Sequence, residues 1–246
     1  MWHNSATQPF SHDGGSVGVL LCHGFTGSPA SMRPWAEFLA RHGYSVRLPL
    51  LPGHGSSWQE MNRTTWRDWY GVQRDAYREL QARCDAVFVC GLSMGGTLTL
   101  KLAADHPDVA GIVLVNASVH TTDPRAKFAR VLQYVLPSLP GVGNDIKKPG
   151  MDEYCYNRLP VRAFVQLQDF WKHVSQEIHN VTQPALVFSS IDDHVVEQSN
   201  ARWIVERIAS TDKSFVPLNN SYHVATLDYD ADEIFQSSLQ FMQRLA

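Results

Sequence analysis

Residues 86–96 read Ala86-Val87-Phe88-Val89-Cys90-Gly91-Leu92-Ser93-Met94-Gly95-Gly96. Ala86–Cys90 is a short apolar run rich in β-structure formers, the pattern of a buried strand. A G-x-S-x-G string follows at once, and Thr97–Ala104 then reads as a helix. Strand, sharp turn and helix are the setting that a nucleophile elbow requires. The string alone is a weak signal, and its placement is what makes it specific. Its glycines have a steric reason. The turn holds Ser93 in a strained backbone conformation, so the residues two before and two after it must be small. Ser93 Oγ then projects from the carboxyl edge of the sheet, above a helix N-terminus that favours developing negative charge. The plain alternative is a tight strand-to-helix turn without chemistry.

The same alternation extends in both directions. Upstream, Val17–Cys22 is a buried-strand pattern ending in His23-Gly24. Ser31 is a candidate N-cap for a helix carrying Trp35, Phe38 and Leu39, with Pro34 in its first turn and Gly43 as its stop. Tyr44–Leu51 is a further strand, and Pro52-Gly53-His54-Gly55 a loop. Thr65 opens another helix with Asp68 three positions on, close to a capping box. That helix runs to about Ala82. Downstream, Val109–Val115, Pro184–Ser190 and Lys213–Leu218 are strands, while Gln198–Ile208 and Ala231–Leu245 are helices. Strands alternating with helices imply an α/β fold whose mainly parallel sheet is flanked by helices.

One stretch breaks the alternation. Ser118–Thr182 holds no convincing buried strand. Phe128, Val131, Leu132 and Val135 fall at i, i+3, i+4 and i+7. Val161, Phe164, Val165, Leu167, Phe170, Trp171, Val174 and Ile178 outline a second amphipathic helix. A Pro/Gly-rich link, 137–149, lies between them. These features predict one domain over residues 1–246 with a helical cap over 119–180. Two ordinary sheet-covering helices would give the same periodicity.

A serine nucleophile needs a base, an acid that orients the base, and donors for the oxyanion. In this architecture the chain order is serine, acid, histidine. The acid belongs just past a late strand, where Asp192-Asp193-His194-Val195-Val196 stands. Asp193 is chosen over Asp192 because an Asp-x-Val-Val pattern follows from it. The histidine belongs past the last strand, where Asn219-Asn220-Ser221-Tyr222-His223 stands. His223 is the candidate base, since His194 is too near the acid in sequence and His54 sits in a loop that suits a structural role. One oxyanion donor is the amide after the nucleophile, Met94. The other comes from the loop after the early strand, His23-Gly24-Phe25-Thr26-Gly27, where Phe25 is the candidate and His23 holds the loop.

The strings HGFTG, PGHG, GLSMGG, DDHVV and HVATLD together resemble the α/β-hydrolase superfamily, and within it the small bacterial carboxylesterases and monoacylglycerol lipases. The resemblance spans about Val17 to Leu245. It implies Ser93, Asp193 and His223 as a triad, Phe25 and Met94 as oxyanion donors, and a small helical cap over an acyl pocket. One position departs from the pattern: Tyr222 precedes the histidine where these enzymes commonly carry glycine.

Composition narrows the function further. The chain has 246 residues, 44% hydrophobic and 18% charged, with a formal net charge of -3. This content argues against disorder, and the charge gives no footprint for nucleic acid. Cys22, Cys84, Cys90 and Cys155 form no CxxC pair. No metal and no organic cofactor is expected, for there is no HExxH, no GxGxxG after a strand and no P-loop. Met1–Ser16 lacks the basic and apolar regions of a signal peptide, and the longest apolar runs are far too short for stable membrane insertion. The expectation is a cytoplasmic protein, monomer or homodimer. Its partner is a small-molecule ester or monoacylglycerol, hydrolysed through an acyl-enzyme with a short-to-medium acyl group. Two alternatives use the same residues: a thioesterase, amidase or acyltransferase, and a non-catalytic hydrolase-like ligand-binding protein.

Overall fold

A computed structural model describes residues 4–246. Met1–His3, the start of the segment expected to lack a leader, lie outside the described residues.

The chain runs through β1 (Phe10–His12), β2 (Val17–Cys22), α1 (Arg33–Arg41), β3 (Ser45–Leu48), α2 (Trp58–Met61), α3 (Trp66–Gln81), β4 (Ala86–Leu92), α4 (Met94–Asp105) and β5 (Gly111–Val115). It then passes through α5 (Ala129–Leu132), β6 (Ser138–Pro140), β7 (Arg158–Pro160) and α6 (Val161–Glu177). It closes with β8 (Ala185–Ser190), α7 (Ser199–Arg207), β9 (Lys213–Leu218) and α8 (Ala231–Leu245). Seven strands form one sheet in the order β1-β3-β2-β4-β5-β8-β9. Within this sheet β1 runs antiparallel, pairing Phe10 with Leu48, while the other neighbours pair in parallel. It is a three-residue edge strand, too short and too polar to stand out as a pattern.

Side-chain alternation along the strands builds two cores. Leu20, Val87, Val89, Ile112 and Leu114 face α3, α4, α6 and α7, where Trp69, Tyr77, Leu98, Phe170 and Ile204 close the layer. Leu21, Val46, Phe88, Cys90 and Val113 face α1 and α8 on the other side. There Trp35 and Phe235 stack with ring centroids 5.8 Å apart. Each large side chain fully buried in these layers contributes about 2–3 kcal/mol. Both faces of the central strands are therefore covered, as parallel strands require.

Several local expectations are met closely. Thr65 and Asp68 form a capping box at α3, and α8 has its expected bounds. Others are corrected. Ser31 is not an N-cap. It lies in a 3₁₀ turn, Pro29–Ser31, whose cap is Ser28, because Pro29 suits the first position of a turn. The strand expected over Tyr44–Leu51 shortens to Ser45–Leu48, as Pro49 has no N–H to continue the ladder.

The segment between β5 and β8 departs most. It contains a small two-stranded sheet, with Leu139 opposite Leu159. The 128–135 stripe gives only one helical turn, and Val131 and Val135 are 70% and 72% exposed. α6 is the long helix expected. Its N-terminal half packs Val161 and Val165 against Ala129, and its C-terminal half joins the main core through Phe170, Trp171 and Val174. Among the described residues, no helix is long and apolar enough to cross a membrane.

Candidate active site

After β3 the chain crosses to the far side of β2 to lay down β4. Loops leaving β2 and β4 therefore diverge, and the crevice beyond their carboxyl ends is where open α/β sheets bind ligands. His23–Phe25 follow β2, Ser93 follows β4, Asn116 follows β5, Asp193 follows β8 and His223 follows β9.

Ser93 stands alone between β4 and α4, with φ 58° and ψ −121°. A non-glycine residue held there stores on the order of 1–3 kcal/mol of strain. Hydrogen bonds hold it in place: Ser93 N–H donates to Val115 O at 3.0 Å, and Ser93 O accepts from Gly96 at 2.9 Å and Ser118 at 3.1 Å. The flanking glycines are obligatory. A β-carbon at Gly91 would lie 2.2 Å from Gly95 O, and one at Gly95 would lie 2.0 Å from Cys22 O. Met94 is the first residue of α4, so its N–H has no intrahelical acceptor.

The loop after β2 reaches the serine, for a β-carbon on Gly24 would be 3.3 Å from Ser93 Cβ. His23 fixes this loop. Its Nε2 accepts from Leu51 N–H at 3.2 Å, so Nδ1 carries the proton and donates to Gly24 O at 3.0 Å. Full burial pulls the ring's pKa down to about 4, which suits a neutral ring used as donor and acceptor. Phe25 packs edge-on to Trp69 at 5.9 Å.

Asp193 and His223 are brought together across the carboxyl edge. His223 Nδ1–H donates to Asp193 Oδ2 at 2.8 Å. Asp193 Oδ1 accepts from the Val195 and Val196 amides, both at 2.8 Å. The two side chains are 2% and 9% exposed. Burial alone would raise the Asp193 carboxyl, but the His223 charge and hydrogen bond outweigh it and hold it below its ordinary range. Burial alone would lower the His223 imidazole. Asp193, with Glu153 and Asp145 behind it, reverses that and raises it. Asp192 is exposed and lies 3.8 Å from His194 Nε2.

Ser93, Phe25 and His223 share the wall of one cavity of about 300 Å³. Leu159, Phe164, Leu167 and Trp171 supply its apolar side, and Asp123, Asp145 and Glu153 its acidic side. An apolar slot lined by Ala129, Leu132, Leu139 and Val161 shares Leu159 and Phe164 with it. Among the described residues, no group of three His, Cys, Asp or Glu side chains is arranged to hold a metal ion.

Three supporting residues escaped the sequence reading. Asn116 Nδ2 donates to His223 O at 2.7 Å and Ser190 Oγ at 2.9 Å. Its place directly after an apolar strand was the available signal. Asp228 accepts from Lys147, Lys148, Tyr222 and Tyr229 amides within 3.0 Å. It closes the HVATLD string, His223–Asp228. Asp145 accepts from the His223 amide at 3.1 Å, and nothing in its Gly-rich surroundings marks it.

Residues 17–230 match the family model described as serine aminopeptidase, S33. The thermostable monoacylglycerol lipase of Bacillus sp. (strain H-257) is 46% identical over 243 residues, covering 98% of this chain and 96% of that one. The carboxylesterase of Bacillus subtilis (strain 168) is 29% identical, covering 97% of each. A solved structure from work on LipS and LipT, two metagenome-derived lipolytic enzymes, superposes with a TM-score of 0.95 at 41% identity and covers 98% of each chain. The chain belongs to the serine aminopeptidase S33 family of α/β-hydrolases.

Proposed function

We propose that this protein is a serine carboxylic-ester hydrolase, a carboxylesterase or monoacylglycerol lipase, with Ser93, Asp193 and His223 as its triad. Ser93 Oγ attacks the ester carbonyl carbon while His223 Nε2 takes its proton. The Phe25 and Met94 amides hold the resulting oxyanion. The C–O bond then breaks, and His223 protonates the departing alcohol. Water attacks the acyl-enzyme by the reverse proton route, releasing the acid. Asp193 keeps Nδ1 protonated and stabilises the imidazolium.

The observation that carries this reading is the buried Asp193–His223 hydrogen bond facing the same cavity as a serine held at positive φ. The insertion over 119–180 acts as a cap, and the apolar slot within it, which adjoins the cavity of Ser93, suits an acyl chain. Four free thiols suit a reducing compartment, in keeping with a cytoplasmic location. Ser93→Ala should lose at least about 10³-fold in kcat on p-nitrophenyl esters. The wild type should be labelled at Ser93 by a fluorophosphonate probe. Near wild-type turnover in Ser93→Ala ends this reading, and a folded wild type that stays unlabelled favours a binding protein.

The family's description favours one competitor, hydrolysis of an amide next to a free α-ammonium. Asp123 is already paired with Arg125 and Asp145 with His194. Glu153 is then the carboxylate an α-ammonium would meet. Matched nitrophenyl ester and nitroanilide substrates separate the two, and the ester should be cleaved faster by orders of magnitude.

A further inference from the structure

We infer that Asp145, carried on the insertion rather than on the sheet, is a positioning residue for His223. The inference rests on the proposal that His223 is the general base. Asp145 Oδ2 accepts from the His223 amide at 3.1 Å and from the His194 amide at 3.3 Å. Its Oδ1 lies 2.9 Å from His194 Nδ1. Its main-chain carbonyl accepts from Val224 at 3.1 Å. One residue thus ties together the loop bearing the histidine, the loop bearing the acid, and the insertion.

The tie is not isolated. Asp228 clamps two nearby amides of the same arm, Lys147 and Lys148, onto the histidine loop. Farther along, Tyr156 N–H donates to Thr26 O at 3.1 Å, and Ser28 Oγ donates to Glu153 O at 3.1 Å. Residues 144–156 therefore bridge the base loop and the oxyanion loop. A shift of this arm would move the main chain of both.

Asp145 also sets the charge around the imidazole. The groups facing His223 are Asp193 from the β8 loop and Glu153 and Asp145 from the insertion. His194 pairs with Asp145, packs edge-on to Tyr222 and is half exposed, with Asp192 at its other ring nitrogen. Lys147 lies over the Tyr222 ring, 5.5 Å from its centroid. Both neighbouring carboxylates beyond the triad come from the insertion, so the insertion contributes to the proton affinity of the base as well as to its position.

The test compares Asp145→Asn and Asp145→Ala with the wild type on p-nitrophenyl butyrate, across pH. Asp145→Asn keeps an acceptor oxygen and removes the charge. The acid limb of its kcat/KM profile should move to lower pH by roughly half a unit to one unit. Asp145→Ala should lose about 10- to 100-fold in kcat with KM changed less than about threefold. Melting curves identify a variant that fails to fold, and Asp145→Asn alone then decides. An acid limb that does not move overturns the proposal, whether or not kcat falls, because a structural residue alone would leave it in place. The two failures are distinguishable. If the triad reading is wrong, His223→Ala retains turnover. If only the Asp145 inference is wrong, His223→Ala is inactive while Asp145→Asn keeps the wild-type profile.

Discussion

Asn116 and His223 are joined side chain to main chain: Asn116 Nδ2 donates to the His223 carbonyl at 2.7 Å, while Asn116 Oδ1 accepts from Ser190 N–H at 2.7 Å. The amide thus pins the end of β9's following loop to the end of β8. Asn116 sits at φ 46°, a conformation asparagine tolerates better than most residues. Asn116→Ala leaves a buried carbonyl and a buried amide without partners, at about 2–3 kcal/mol. It also frees the histidine's main chain. A displacement near 1 Å suffices for a loss of about 10²-fold. Steady-state kinetics should show kcat falling and KM nearly constant, with fluorophosphonate labelling slowed in step. Unchanged labelling would separate Asn116 from the chemistry.

The elbow makes a stricter demand. A β-carbon at Gly95 meets Cys22 O at 2.0 Å and His23 O at 2.9 Å, both backbone atoms of a central strand and the loop it opens. Neither can turn aside as a side chain could. Gly95→Ala should therefore cost about 3 kcal/mol or more and abolish activity by spreading β2 from α4. Thermal unfolding and the yield of folded protein check this. Full stability in that variant would mean the two elements can part without cost.

Acid should destabilise the fold through buried histidines. In the unfolded chain His23 titrates near 6.5, and in the folded protein burial holds it down to about 4. As pH falls below about 6.5 the unfolded state takes up a proton that the folded state refuses. The stability that neutral His23 contributes above 6.5 is then lost until pH has passed through about 4, a total on the order of 3 kcal/mol. His54, lowered first by burial and then by His23, adds to the same slope. His223 runs the other way. Its raised pKa stabilises below 6.5, and that contribution fades as pH rises through the folded value. Melting temperatures should drop between pH 6.5 and 4, and His23→Asn should flatten that slope while lowering the plateau. An unchanged slope would assign the acid sensitivity elsewhere.

What was legible in the sequence follows from what is local. The strand–turn–helix around Ser93 is local, since glycine spacing and an apolar run suffice. So is the box at Thr65–Asp68, where two side chains satisfy each other's backbone. The acid and the base could be placed because chain order and strand ends are one-dimensional facts. Asp145 and Asn116 could not, because each acts across about 75 to 110 residues on main-chain atoms that carry no residue identity. The β6–β7 pair was hidden for a related reason. Three residues ending in proline on each strand give no alternation to read.

The stripe at 128–135 shows the opposite failure and leads to a prediction. Its helical spacing suggests a buried face, yet only Leu132 packs inward, against the small cluster of Ala129, Val161 and Val165. Val131 and Val135 stand 70% and 72% exposed, for the helix is a single turn, Ala129–Leu132, and neither valine joins a packed apolar cluster. Periodicity records which residues would share a face if the helix continued, and it does not record whether anything covers that face. Val131→Ser and Val135→Ser should each shift stability by no more than about 0.5 kcal/mol. Leu132→Ala should cost more, since Leu132 packs on that cluster and lines the apolar slot. It should also favour bulkier acyl groups in a chain-length series of nitrophenyl esters. Denaturation midpoints measure the first comparison. A loss of several kcal/mol in either serine variant would mean that these valines are covered in solution.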